Sequence, residues 1–149
     1  MANATVFDKN TLEVVVIPVT DVDRAVGFYG RLGWRLDADY EAGAKFRIVQ
    51  FTPPGSPCSI QFGRGGTSES PRSAYCFLVM AHIDEAWKEL LDKDIGVSDV
   101  FHNSYDHGYE ERVVSPDPQG RSHRSFATFD DPDGNHWLLQ EITARAPGH

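Results

Sequence analysis

The sequence is poor in cysteine, in basic residues and in long apolar runs. Its two cysteines, Cys58 and Cys76, are too few for a disulfide framework or a cysteine-rich zinc site. The 14 Lys and Arg residues face 22 Asp and Glu residues, and the net charge of −8 argues against nucleic acid or an anionic membrane as a partner. No apolar stretch is long enough to span a bilayer, and residues 1–10 do not resemble a signal peptide. We therefore expect a cytoplasmic protein with reduced thiols.

The remaining composition is that of one globular domain. Of the 149 residues, 40% are hydrophobic and 24% are charged, and a chain of this length can bury a sizeable core. The sequence contains no Ser-His-Asp arrangement, phosphate-binding loop or dinucleotide-binding fingerprint. The common sequence signatures of hydrolases and nucleotide-binding enzymes are therefore missing.

Hydrophobic periodicity predicts two amphipathic helices and several strands. Apolar residues recur at helical spacing in residues 21–32 and 82–93, and Gly33 and Gly96 end these two helices. An extended segment begins at Trp34. Short runs rich in β-branched and aromatic residues predict strands at residues 11–19, 44–51, 58–62, 74–80, 97–101, 125–129 and 136–143.

The two halves of the chain repeat the same order of elements. The helix residues Asp23-Arg24-Ala25-Val26 match Asp84-Glu85-Ala86-Trp87 at a shift of 61 residues, and each half reads strand, helix, then three strands. The sequence therefore predicts an α+β fold of paired βαβββ modules that form a curved mixed sheet with the helices outside. We expect module 1 at about residues 11–63, a Gly- and Ser-rich linker at 64–72, and module 2 at about 73–143. The concave face of such a sheet is a natural small-molecule pocket.

A long connection, residues 102–124, separates the strands of the second half. Long segments without predicted structure inside a compact domain are usually either functional or disordered. This connection could form a lid over the pocket or a solvent-exposed surface loop, and the sequence favours neither alternative. Of the six histidines, we keep His102 and His107 as pocket candidates, since either could act as a base or donate to a ligand oxygen. His136 begins the last strand, where we expect it half-exposed and without a site role.

Two motifs carry a resemblance to a known family. The stretch VTDVDRAVGFY at residues 19–29 resembles the strand-to-helix opening of the glyoxalase/bleomycin-resistance/extradiol-dioxygenase (vicinal oxygen chelate) superfamily. The stretch FDDPDGNHWLLQE at residues 129–141 resembles its closing turn and strand. The resemblance implies paired βαβββ modules and often a homodimer. It also implies a divalent metal held by four His, Gln or Glu side chains, one each from the first and the last strand of each module.

The resemblance places the four metal-ligand positions at Val14, Gln61, Tyr75 and Leu138. Only Gln61 is an ordinary ligand, because valine and leucine have no lone pair to donate. A slip of one residue at any of the four positions assembles no His, Gln and Glu set either. We therefore expect no metal, and a pocket floor that is half apolar and suits a hydrophobic ligand better than a cation.

Aromatic side chains in the first half could complete this pocket. Trp34 and Phe46, with Phe51, could form a wall that stacks on a planar ligand, although core packing is the alternative for at least two of them. The hydroxyl of Tyr75 could orient a ligand, or its ring could pack on the sheet.

These observations predict a glyoxalase/bleomycin-resistance-like protein that binds an apolar or aromatic small molecule without metal or another cofactor. It could act by sequestering that molecule, as antibiotic-resistance members of the family do. The alternative is a lyase, isomerase or dioxygenase-like enzyme that uses Gln61, Tyr75 and a lid histidine, or a metal site rebuilt from the lid. A third possibility is a fused-module protein that only dimerises. The sequence leaves open the ligand's identity and whether the pocket lies within one chain or across a homodimer.

Overall fold

The computed structural model describes residues 12–65, 73–104 and 111–145. The chain divides between Arg72 and Ser73 into two compact units, unit 1 and unit 2, each with its own helix and sheet. Among the described residues, no helix is long and apolar enough to cross a membrane. The elements of unit 1 are β1 (Val14–Val16), α1 (Val22–Arg31), β2 (Arg35–Glu41), β3 (Arg47–Thr52) and β4 (Ser59–Arg64).

Unit 1 has the predicted βαβββ order. Its four strands lie in the order β1-β4-β3-β2, and β1 is parallel to β4 while the other neighbours are antiparallel. Helix α1 begins where the Asp21 carboxylate accepts a hydrogen bond from the backbone N–H of Arg24, at 3.0 Å. The helix packs over β3 and β4, with the ring of Tyr29 lying 6.0 Å from that of Phe51 and 5.6 Å from that of Phe62.

A buried arginine joins helix α1 to the sheet of unit 1. The Arg47 guanidinium donates to Asp39 at 2.9 and 2.8 Å and to Asp23 of α1 at 2.6 Å. These carboxylates raise the pKa of Arg47, and the hydrogen bonds from Arg47 lower the pKa of Asp39. Because a buried guanidinium is tolerated only with paired hydrogen bonds, the two carboxylates satisfy Arg47, and the network links α1 to β2 and β3.

Unit 2 repeats this plan with one additional strand. Its strands lie in the order β5-β9-β8-β6-β7, with β5 parallel to β9 and the rest antiparallel. The two mixed sheets and two helices confirm the predicted α+β class. The elements of unit 2 are β5 (Tyr75–Met80), α2 (Ile83–Asp92), β6 (Phe101–Ser104), β7 (Glu111–Val113), β8 (Ser125–Asp130) and β9 (His136–Glu141).

Two strand predictions in the second half are corrected by the structure. The strand expected at residues 97–101 forms instead at Phe101–Ser104, and Val97 makes only an isolated bridge to Phe129. The connection at residues 102–124 was expected to lack regular structure, yet it contains most of β6 and all of β7. Strand β6 pairs with β8, where Phe101 lies opposite Phe126, and β7 pairs with β6. Both strands therefore depend on cross-strand partners, which the hydrophobic pattern of a single segment does not show.

Strand β4 also runs further than predicted, into residues that were assigned to a Gly- and Ser-rich linker. It continues to Arg64, because Gly63 pairs with Ile48 of β3. A Cβ atom at Gly63 would lie 1.8 Å from the carbonyl oxygen of Arg47. Glycine therefore permits this close approach of the two strands.

The Asp-Pro-Asp-Gly-Asn turn connects β8 to β9 and also anchors the start of β5. The Asp131 carboxylate accepts hydrogen bonds from the backbone N–H groups of Asp133 and Asn135, both at 2.9 Å. Gly134 adopts the positive φ of 80° that the turn requires. The buried Asn135 side chain donates to Asp131 at 2.7 Å and accepts from the backbone N–H of Ala74 at 2.8 Å.

We expect Asn135→Ala to destabilise the protein by about 1–3 kcal/mol, since it leaves the buried N–H of Ala74 without its acceptor. Urea unfolding followed by circular dichroism measures the change. The matched control is Gln119→Ala, which removes an amide side chain from an exposed loop and should change stability by less than about 0.5 kcal/mol. Equal effects of the two substitutions would contradict the anchoring role of Asn135.

Candidate ligand-binding site

In unit 1, strand alternation sorts side chains between the helix-covered face and the opposite face. Ile60 and Phe62 point toward α1, so the residues that alternate with them in β4 lie on the other side. Gln61 pairs with Val16 and Val14 pairs with Ser59, which places Val14 and Gln61 on that side together. We call this surface the far face of unit 1. Val14 and Gln61 are diagonal neighbours rather than direct partners.

Unit 2 has an equivalent far face. The Glu141 carboxylate accepts a hydrogen bond from the N–H of Ile83, the first residue of α2, at 3.0 Å, so Glu141 and the buried Leu139 point toward that helix. Leu138 therefore lies on the far face of unit 2. Tyr75 pairs with His136 in the parallel β5–β9 ladder, two residues from Leu138, and lies on the same face.

The far face of unit 1 carries a chain of hydroxyl groups that ends at a carboxylate. The Thr52 hydroxyl donates to the Asp37 carboxylate, and the hydroxyl oxygens of Thr52 and Ser59 are 2.6 Å apart. Because a hydroxyl has one proton, Ser59 donates to Thr52 in this arrangement. The Thr52 hydroxyl and then the Arg35 guanidinium, at 2.5 Å, lower the pKa of Asp37. This part of the sheet is polar and ionised.

The far face of unit 2 is aromatic by contrast. Tyr75, Phe77 and Val79 alternate along β5 and are 58%, 57% and 46% exposed. The rings of Tyr75 and Phe77 lie 5.8 Å apart, and the Tyr75 ring lies 4.7 Å from the imidazole of His136. Sequence reasoning assigned His136 no site role. The signal that could have identified it is alternation, because His136 lies two residues before Leu138 on the same strand.

The other predicted pocket residues lie elsewhere. Trp34 is buried on the α1 side, with its ring 5.2 Å from that of Tyr29. Phe46 is half-buried, with its ring 6.2 Å from that of Tyr40. In β6, the Nδ1 atom of His102 lies 2.9 Å from the carbonyl oxygen of Ser115. His107 lies outside the described residues. Ligand contact by these four residues stays a prediction.

The described part of the proposed lid is ordered by its own ion pair. The buried Asp117 carboxylate accepts from the Arg121 backbone N–H at 2.8 Å and from its guanidinium at 2.9 and 3.0 Å. These hydrogen bonds hold the pKa of Asp117 well below its usual range. Asp117 and Arg121 therefore form an ion pair within the loop and stabilise it.

The four positions of the family-type metal site do not provide a suitable donor set. Val14 and Leu138 offer hydrocarbon, which leaves an amide at Gln61 and a phenol at Tyr75 as the oxygen donors. Within residues 12–65, 73–104 and 111–145, no group of three or more His, Cys, Asp or Glu side chains is placed to hold a metal ion. The residues present therefore do not fit the divalent cation that the family resemblance implies.

Comparison with known proteins identifies the family. The family model described as the Glyoxalase/Bleomycin resistance protein/Dioxygenase superfamily matches residues 11–139. The chain belongs to this superfamily. A comparison with curated protein sequences gives no match.

Solved structures of this superfamily have the same fold. The structure of TnmS3, an antibiotic binding protein from Streptomyces sp. CB03234, is 24% identical, with a TM-score of 0.65 over 91% of this chain and 98% of that one. A glyoxalase/bleomycin resistance protein from the same Streptomyces strain is 25% identical, with a TM-score of 0.61 over 88% and 100% of the two chains. A superfamily member from Sphaerobacter thermophilus DSM 20745 is 24% identical, with a TM-score of 0.61 over 89% and 97%.

We expect Thr52→Val to raise the pKa of Asp37 toward its ordinary value of 3.8, because the Thr52 hydroxyl is the largest cause of the lowered value. A lowered pKa in the folded state stabilises the protein above about pH 4 and loses that effect as the pH falls through the folded pKa. The substitution should therefore reduce the acid sensitivity of folding. Carboxyl ¹³C NMR titration measures the pKa directly. Thr143→Val, at an exposed threonine, is the control, and an unchanged Asp37 pKa in Thr52→Val would refute the assignment.

Proposed function

We propose that this superfamily member binds an apolar or aromatic small molecule on the far face of unit 2 without a divalent metal. The exposed row of Tyr75, Phe77 and Val79 is the observation that carries the proposal. Folded proteins rarely leave three large apolar side chains exposed in one row unless something binds there. Aromatic rings at this spacing suit a planar ligand, which can lie against them in stacked or edge-on contact.

The residues at the metal-ligand positions support the same proposal. Leu138 stands where the resemblance places a metal ligand in the last strand, and it lies on the far face beside β5. Leu138 is itself buried, so an apolar side chain at that point supports the hydrophobic surface from beneath and places no charge there. Small-molecule sites are mostly apolar with a few placed polar groups, and the surroundings of Leu138 have this composition.

The similar structures offer a precedent for such a function on this fold. TnmS3 is described as an antibiotic binding protein, and its likeness to this chain is one of fold. Because one fold supports many functions, the precedent makes small-molecule sequestration reasonable without naming the molecule. We propose sequestration as the mode of action.

We expect the protein to bind 2-methoxynaphthalene, measured by its fluorescence, with the same affinity before and after treatment with a chelator. Phe77→Ala should weaken binding by about tenfold, because it removes a ring from the contact surface. Leu91→Ala is the matched control, since Leu91 is a similarly exposed apolar residue on α2 and should leave binding unchanged.

Two outcomes would contradict this proposal. The first is tight, stoichiometric binding of nickel, zinc, manganese or iron that involves Gln61 or Tyr75. The second is turnover of methylglyoxal–thiol adducts or catechols that the chelator abolishes, which would support the alternative of a metal-dependent lyase, isomerase or dioxygenase.

We also infer that the chain forms a homodimer. The resemblance implies it, and the first strand of each unit, β1 and β5, is an end strand of its sheet, where a second copy can add. Light scattering after size-exclusion chromatography should give twice the chain mass of 16.6 kDa. A single-chain mass at all accessible concentrations would refute the dimer and leave the binding proposal intact.

A further inference from the structure

Three neighbouring strands of unit 2 bring a carboxylate, an imidazole and a phenol ring together. Asp130 at the end of β8 pairs with His136 at the start of β9, and His136 pairs with Tyr75 at the start of β5. The Nδ1 atom of His136 lies 2.5 Å from a carboxylate oxygen of Asp130. The centroid of the imidazole lies 4.7 Å from that of the Tyr75 ring. All three side chains lie on the far face of unit 2.

The carboxylate determines what the imidazole can do. In a neutral imidazole one nitrogen donates and the other accepts, and Asp130 can only accept a hydrogen bond when ionised. The short contact therefore favours the tautomer with the proton on Nδ1, which leaves the lone pair on Nε2. Asp130 acts here as a positioning residue, because it orients the His136 ring and fixes the proton on Nδ1.

The cluster is reachable from solution and adjoins the aromatic row. The side chains of Asp130 and His136 are 58% and 30% exposed, and Tyr75 continues along β5 to Phe77, 5.8 Å away. The Tyr75 and Phe77 rings are tilted by 54°, so a planar ligand stacked on Tyr75 would meet Phe77 at an angle and lie close to the imidazole. A single polar acceptor at the edge of an apolar surface is the arrangement that orients a small aromatic molecule.

We propose that the far face of unit 2 takes aromatic molecules that carry a free hydroxyl group, and that Nε2 of His136 accepts the hydrogen bond from that hydroxyl. This inference rests on the proposed function and adds the polar specificity that the aromatic row alone does not give. A hydroxyl donor suits the site better than an anion, because the carboxyl group of Asp130 lies beside His136 and the whole chain carries a net charge of −8.

The test compares 2-naphthol with 2-methoxynaphthalene, which keeps the ring and oxygen but has no hydroxyl proton. In the full-length protein, His136→Phe should weaken 2-naphthol binding by about tenfold, since one buried hydrogen bond is lost. It should change 2-methoxynaphthalene binding by less than about twofold. His82→Phe makes the same substitution at an exposed histidine before α2 and should affect neither probe.

The role of Asp130 has its own readout. ¹⁵N NMR should find the Nδ1–H tautomer of His136 in the unsubstituted protein and a mixture of tautomers in Asp130→Ala. Asp130→Asn, whose amide oxygen still accepts a hydrogen bond, should restore both the tautomer and most of the preference for 2-naphthol. A tautomer that is the same in all three proteins would refute the positioning role.

The outcomes separate this inference from the proposed function. If both probes bind and His136→Phe affects them equally, the hydroxyl specificity is wrong while aromatic binding stands. If neither probe binds the unsubstituted protein, aromatic binding on this face fails and the hydroxyl specificity fails with it. Loss of 2-naphthol binding alone in His136→Phe is the result that supports the inference.

Discussion

Each of the two sheets packs against a single helix, and that helix covers only one of the sheet's two faces. In unit 1 the Tyr29 ring of α1 packs against the face of the sheet that carries Phe51 and Phe62. Because side chains alternate along a strand, every intervening residue is forced onto the far face, and a slip of one residue would exchange the two sets. The chemistry presented away from the helix therefore depends on the register of the strands rather than on any single residue.

The two far faces have diverged although the two units share a plan. In unit 1 the face carries the Ser59, Thr52 and Asp37 chain, where an ionised carboxylate is held by hydroxyl and guanidinium donors. In unit 2 the equivalent face carries the exposed rings of Tyr75 and Phe77. On the far face of unit 1, an apolar ligand would remove water from polar groups, which costs free energy. On the far face of unit 2 it would bury apolar surface, which is favourable. This difference favours unit 2 for the proposed binding role.

The helices and the closing turn could be predicted from sequence because their signals are local. The Asp21 cap, the helical spacing in α2 and the Asp131–Asn135 turn each act over a few residues. Strand β7 and the His136–Asp130 pair could not be predicted, because both depend on cross-strand pairing, and hydrophobic patterns along one strand do not show which residues lie opposite each other. The sequence also left open whether Trp34 lines the pocket or packs in the core. The structure shows its ring 5.2 Å from that of Tyr29, and its contact with a ligand stays a prediction.

Leu138 stands at a metal-ligand position, and His136 lies two residues before it on the same strand. Both residues are consistent with a site that holds no metal ion. A metal ion on this face would compete for the lone pair of His136, whereas Leu138, two residues along the same strand, cannot hold a metal ion. The His136–Asp130 pair is partly exposed, so water weakens its interaction with a ligand. A planar molecule covering Tyr75 would exclude that water and strengthen the hydrogen bond to Nε2. In the proposed complex, the aromatic surface thus supplies most of the contact area, and the imidazole selects among the molecules that fit it.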